Sequence, residues 1–169
     1  MTKYILGISA FYHDSAASII KDGMIIAAAQ EERFTRIKND KSFPVNSILF
    51  CINYAKINLM QVKDIIFYDN SINSWERVVH NISIFDIFDL YKISKDTFNK
   101  KVLLHKYLEK FFKYKISNEQ KIYFLDHHLS HASSAFYPSP FKQSCIITID
   151  GVGEWATTTI GIGKGSKIK

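Results

Sequence analysis

The chain has 169 residues, is 47% hydrophobic and 14% aromatic, and carries a formal net charge of +6. That length and apolar content support a packed core and exclude a disordered chain. The apolar runs are short and broken by charges, well below the ~20 residues of a membrane helix, and MTKYILGISA has too short an apolar stretch for a secretory signal.

YILGISAF (Tyr4 to Phe11) is a short β-branched-rich run that predicts a buried strand. Asp22-Gly23 then separates two apolar runs. Both residues tolerate the positive φ of a type I′ turn, so the segment predicts a hairpin and the chain opens as a three-stranded meander. After Phe43-Pro44, VNSILFCINYAKINL sets Ile48, Leu49, Ile52 and Ala55 at helical spacing, with Pro44 near the first turn. DIIFYDN (Asp64 to Asn70) predicts another strand. From Ser71 to Asn118 the pattern is helical, with Phe85, Phe88, Val102, Leu103, Phe111 and Phe112 as core candidates. KIYFL (Lys121 to Leu125) returns to strand. Asp126 stands where an N-cap belongs, and HHLSHASSAF continues as helix until Pro138 and Pro140 end it. SCIITIDGVGEWATTTIGIGKGSKIK then reads as strand, glycine loop, strand, turn and the start of a further strand.

This last segment repeats the plan of the first. Aligning Ser9 with Asp150 also aligns Ile19 with Ile160, so the chain is expected to open two related halves, the second stopping at Lys169 as part of a longer protein. Its unpaired strand edge predicts self-association through that edge. Cys51 and Cys145 share no C-x-x-C spacing and lie in apolar runs, which predicts buried free thiols in a reduced, cytoplasmic setting. Much of the positive excess lies between Lys92 and Lys121. Lysines there interleave with Ile, Phe, Tyr and Asn and form no arginine cluster, which predicts a solvated helical face rather than a nucleic-acid surface.

Three of the six histidines fall within five positions, at His127, His128 and His131. On a helix, His127 and His131 share a face, and the positive end of the helix dipole keeps both rings in the neutral form a ligand requires. H-x-x-x-H alone is a weak signal for a metal. His128 points elsewhere, toward packing or support of its neighbours. Two loops strengthen the case. AFYHDSAAS carries His13, Asp14 and Ser15 at its tip, and IDGVGEW carries Asp150, Gly151 and Gly153. A glycine-containing loop can turn backbone N–H groups toward a phosphate, and Asp150 can offer a hard oxygen to a metal. Arg33, Arg36, Lys38 and Lys41 follow a strand and could hold an anionic substrate or stand exposed.

GISAFYHDSAA, AAAQEERFTRIKNDKSFP, DHHLSHASSAFYPSPF and ITIDGVGEWATTT together resemble the N-terminal part of the O-carbamoyltransferases. That family includes nodulation-factor and aminoglycoside antibiotic enzymes. It is related to the hydrogenase-maturation carbamoyltransferase and to the metalloprotein of tRNA threonylcarbamoyl-adenosine synthesis. The resemblance implies an α/β fold of RNase H-like lobes, of the actin/Hsp70/sugar-kinase type. Residues 1–140 would form the first lobe, with 71–118 as a helical insertion, and residues 144–169 would open a truncated second lobe. It implies a divalent metal, Fe(II), on His127, His131 and Asp150, with a further aspartate from a later part of the family's sequence. His13 would be general base on an acceptor hydroxyl, as befits an imidazole. Lys38 would hold carbamoyl or phosphate oxygens. Asp14, Ser15, Gly151 and Gly153 would lie against the nucleotide.

The implied activity transfers a carbamoyl group from carbamoyl-adenylate, made from carbamoyl phosphate and ATP, to a hydroxylated small-molecule acceptor. No membrane is involved and nucleic acid is disfavoured as a partner. The chain alone would be inactive. The alternative is a nucleotide- and metal-binding module of the same fold without transferase activity.

Overall fold

The computed structural model describes residues 2–82, 91–92, 95, 98, 103–113, 115–151 and 154–169. Phe85, Phe88, Val102 and Gly153 lie outside the described residues. The chain divides into two compact units, Met1–Phe67 with Lys95–Phe124, and Tyr68–Ser94 with Leu125–Lys169.

The first unit is built on strands β1 (Tyr4–Ser9), β2 (Ala16–Lys21), β3 (Met24–Gln30), β4 (Val62–Phe67) and β5 (Lys121–Phe124). Their order is β3-β2-β1-β4-β5. The first three pair antiparallel, while β4 pairs parallel with both β1 and β5. This is the RNase H-like order that the resemblance implies. The β2–β3 turn has φ of 50° at Asp22 and 88° at Gly23, the positive pair expected of a type I′ hairpin. A parallel neighbour needs a crossover, and helix α2 (Val45–Tyr54) supplies it between β3 and β4.

Period-two burial along the strands meets a helical stripe. Leu6, Ile8, Ala17 and Ile19 are buried, as are Ile48, Cys51 and Ile52 of α2. Each large aliphatic side chain in this layer contributes ~1.5–3 kcal/mol on burial. The α2 face therefore runs through Ile48, Cys51 and Ile52, and the expected Leu49 is instead exposed, because it is displaced around the helix from that stripe. Cys51 is a buried thiol bonded to the Ala17 carbonyl at 3.4 Å, and burial pushes it up to about 11. Helix α4 (Leu104–Phe112) buries Leu104 and Leu108, one turn apart, and leaves Lys106 and Lys110 exposed. Phe111 is not core as expected: it is 43% exposed, although its ring stacks on Phe43 at 5.6 Å.

A one-turn helix, α1 (Glu32–Thr35), opens the segment that leads into α2. Asp40 in this segment is buried, with Oδ1 accepting the Ser42 amide at 2.8 Å and Oδ2 the Thr35 hydroxyl at 2.7 Å. The Ser42 amide first, then the Thr35 hydroxyl, hold its carboxyl below the usual range. Stability from a depressed carboxyl is present above the unfolded value of 3.8 and disappears as pH falls through the folded value. Asp40→Asn is thus expected to cost about 1–3 kcal/mol at neutral pH and to flatten the acid limb of stability against pH, read by urea unfolding between pH 7 and 3. An unchanged acid limb would refute this role.

The second unit holds α3 (Ser71–Ile82), α5 (His127–Phe136) and a three-stranded sheet of order β6-β7-β8, from β6 (Gln143–Ile149), β7 (Thr158–Lys164) and β8 (Lys167–Ile168). The internal repeat is visible in the register. Leu6 pairs with Ile19 and Ile8 with Ala17 in the first unit; Ile147 pairs with Ile160 and Ile149 with Thr158 in the second. The burial differs, however. Ile147 and Ile160 are 60% and 73% exposed, where Leu6 and Ile19 are at 0%. Cys145 lies on this same open face, so the expectation that it is buried is corrected. An apolar run does not reveal which strand face is covered.

On the covered face, Ala132 and Phe136 of α5 pack with Ile146, and Ile168 joins them. A Cβ at Gly163 would meet the Phe136 ring at 2.6 Å. Gly163→Ala is expected to destabilise the chain by about 1–3 kcal/mol, seen as a lower denaturant midpoint; an unchanged midpoint would show that the ring can move aside. No helix among the described residues is long and apolar enough to cross a membrane.

Candidate functional site

In the first unit, the β1–β2 loop is held in an uncommon shape. Phe11 and Asp14 have φ of 75° and 51°, a conformation few side chains adopt and a bulky aromatic rarely. The loop is fastened to the segment after α1: the Phe11 amide donates to the Lys41 carbonyl at 3.0 Å and the Ser15 amide to the Asp40 carbonyl at 2.8 Å. The Phe11 ring meanwhile packs on Tyr107 at 4.9 Å and Phe43 at 6.1 Å. Glu31 anchors the other end. Its buried carboxylate accepts from the amides of Asn46 and Ser47 and from both their side chains, at 2.7–3.0 Å, and so caps α2 from a distance.

This scaffold presents His13 and Asp14 at the tip. His13 Nδ1 lies 2.8 Å from Asp14 Oδ2. A carboxylate only accepts, so Nδ1 carries the proton of this contact, and in the neutral form of the ring Nε2 would offer its lone pair to another. Lys38 is exposed on the fastened segment. Ser15, expected beside a nucleotide, is fully buried with its hydroxyl unpartnered, and its amide serves the loop.

In the second unit, Asp126 caps α5. Its backbone is extended (φ −60°, ψ 136°) and its Oδ1 accepts the Leu129 amide at 2.9 Å. The helix therefore starts at His127, and His131 stands one turn on. Their Nε2 atoms are 3.1 Å apart. Asp150, at the end of β6, donates its amide to the Thr157 carbonyl at 2.8 Å and puts Oδ2 2.8 Å from His127 Nε2. One ligand atom from each of the three lies within 4.8 Å of the others.

Electrostatics favour the ligand forms of His131 and Asp150. Burial first, then the neighbouring His127 ring, lowers the His131 pKa and so keeps that ring neutral. Burial opposes ionisation of Asp150, but His127 and the Gly151 amide outweigh it and hold the carboxyl below its usual value. Two imidazole nitrogens and one carboxylate oxygen form a donor set that could hold a divalent transition metal, with positions left for further ligands.

His128 faces the sheet. Its Nε2 meets the Ala156 carbonyl at 2.7 Å and its Nδ1 the Thr148 hydroxyl at 2.5 Å, and Thr148 bonds Thr159 at 2.6 Å. It fastens α5 to β6 and to the connection before β7, so this histidine supports its two neighbours. The motif reading passed over Glu154, although it lies in the IDGVGEW stretch. Its carboxylate is 4% exposed and accepts from three groups, among them the His127 amide. Glu31 and Asp40 were missed likewise. Glu31 follows the apolar run of β3, whereas Asp40 stands among polar neighbours with no local signal.

The family model described as carbamoyltransferase N-terminus matches residues 4–169. The uncharacterized protein sll1178 of Synechocystis sp. is 42% identical over 98% of this chain and 28% of its own length. The nodulation protein NolNO of Sinorhizobium fredii is 37% identical over 95% of this chain and 23% of its own. The chain thus spans about a quarter of the length of these relatives. Among solved structures, YeaZ from Pseudomonas aeruginosa superposes with a TM-score of 0.46 at 9% identity, covering 95% of this chain and 58% of that one. Matched by that model over residues 4–169, the chain belongs to the carbamoyltransferase family and carries the portion known as the carbamoyltransferase N-terminus.

Proposed function

We propose that this chain forms the N-terminal part of an enzyme that transfers a carbamoyl group from carbamoyl-adenylate to a hydroxyl of a small-molecule acceptor. The adenylate is made from carbamoyl phosphate and ATP in the longer protein. The observation that carries the reading is the convergence of His127, His131 and Asp150 in a chain of this family. The His13–Asp14 pair on its strained loop adds a base.

His13 Nε2 takes the proton of the acceptor hydroxyl as the oxygen bonds to the carbamoyl carbon. The bond from that carbon to the phosphate oxygen breaks, AMP leaves, and the product is the O-carbamoyl ester. Asp14 holds the His13 ring in the tautomer that can accept. Lys38 offers a positive charge to the carbamoyl or phosphate oxygens. His127, His131 and Asp150 would hold a divalent metal, Fe(II) by the family resemblance, which would supply charge to offset that of the adenylate phosphate.

The test gives the longer protein carbamoyl phosphate, ATP and a panel of hydroxylated sugars and antibiotics. Carbamoylated acceptor and AMP, detected by mass spectrometry, are the expected products. ATP turnover that does not depend on carbamoyl phosphate would overturn the reading and favour a nucleotide-binding module without transferase activity.

A further inference from the structure

We infer that Glu154 is a positioning residue for the metal centre: its buried carboxylate sets the distance between His127 and Asp150. The inference rests on the metal reading above.

Three chain segments of the second unit meet at this one side chain. Oε1 accepts the Asn70 amide at 2.6 Å and the His127 amide at 3.0 Å, and Oε2 accepts the Asn73 side-chain amide at 3.1 Å. Asn70 immediately precedes α3, and its Oδ1 accepts the Asn73 amide at 3.3 Å. The same stretch is tied to α5 a second time, since the Ser130 hydroxyl donates to the Tyr68 carbonyl at 2.7 Å. The first N–H groups of a helix have no partner within it. Asp126 satisfies the Leu129 amide of α5, and Glu154 satisfies the His127 amide. The N-terminal turn that carries one metal ligand is therefore gripped by the loop that carries another.

Asp150 and Glu154 sit on the one connection between β6 and β7. Asp150 reaches the His127 ring at 2.8 Å while Glu154 holds the His127 backbone at 3.0 Å. Ring and backbone of one residue are thus fixed by two points of one loop. Without the second contact, the first turn of α5 and the loop can shift independently, and a ligand set tolerates little displacement. Groups that orient ligands typically change metal affinity 10–100-fold when removed.

The chain is titrated with Co(II), and affinity and the visible absorption of the bound ion are compared between wild type, Glu154→Ala, Glu154→Gln and Gly163→Ala. The expected result is a 10–100-fold loss with an altered spectrum in Glu154→Ala. Gly163→Ala, which presses on Phe136 at the opposite end of α5 from His127, is the control for a general loss of stability and is expected to keep wild-type affinity and spectrum. Glu154→Gln retains an acceptor for the two amides and recovers most of the affinity. Should Glu154→Ala fail to fold, Glu154→Gln and Asn73→Ala are read in its place, and Asn73→Ala is expected to show a smaller loss. In metal-free protein, the His127 ring resonances are expected to move in Glu154→Ala. Equal affinity, spectrum and ring resonances in wild type and Glu154→Ala would overturn the inference. If wild type binds no Co(II), the metal reading falls on its own, and the ring resonances still decide whether Glu154 positions His127.

Discussion

His131→Ala is expected to lower divalent-metal affinity by at least ~100-fold, since a lost ligand costs more than a lost orienting contact. The ring is one of three donors, and its Nε2 lies 3.1 Å from that of His127. Elemental analysis of purified protein should find metal in wild type and little in the variant. Folding should survive, because His131 is exposed and α5 is held instead by Phe136, His128 and the Asp126 cap. Alanine also favours helix. Equal metal content in the two proteins would remove His131 from the ligand set. Unfolding of the variant would show that the run of histidines is structural.

His13→Ala in the longer protein is expected to reduce carbamoyl transfer by about 10²–10⁴-fold, the usual worth of a positioned general base. Formation of carbamoyl-adenylate should be unaffected, and the adenylate should accumulate. The side chain is 61% exposed and, among the described residues, meets Asp14 and the exposed Tyr12, so a folding defect is not expected. Asp14→Asn gives an independent check. An amide can donate as well as accept, so it no longer enforces protonation at Nδ1, and transfer should fall while adenylate formation persists. Full transfer by His13→Ala would remove the role assigned to His13 and leave the metal reading standing.

The elements were legible wherever the signal was local. The Asp22-Gly23 turn, the Asp126 cap and the His127–His131 spacing each depend on residues within one turn of one another, and the structure contains all three. The repeat was legible for a related reason: a period-two pattern sets which residues pair, and both hairpins adopt the aligned register. Faces were harder. Leu49, Phe111 and Cys145 were read from apolarity alone, and all three are exposed. Hydropathy does not say what covers a face, and the β6–β7 face that corresponds to the buried one in the first unit stands open.

By itself, the sequence determined the order of the strands, the two related hairpins and the family, and it singled out three residues whose ligand atoms the structure brings together. Tertiary structure decided how those residues are held. Glu154 bonds Asn70 across 84 positions and His127 across 27, and Glu31 caps a helix 15 positions away. No periodicity links such partners. A buried carboxylate must nevertheless find donors, and here it finds them at the unsatisfied amides of helix N-termini, which come within reach only once the sheets and helices have packed.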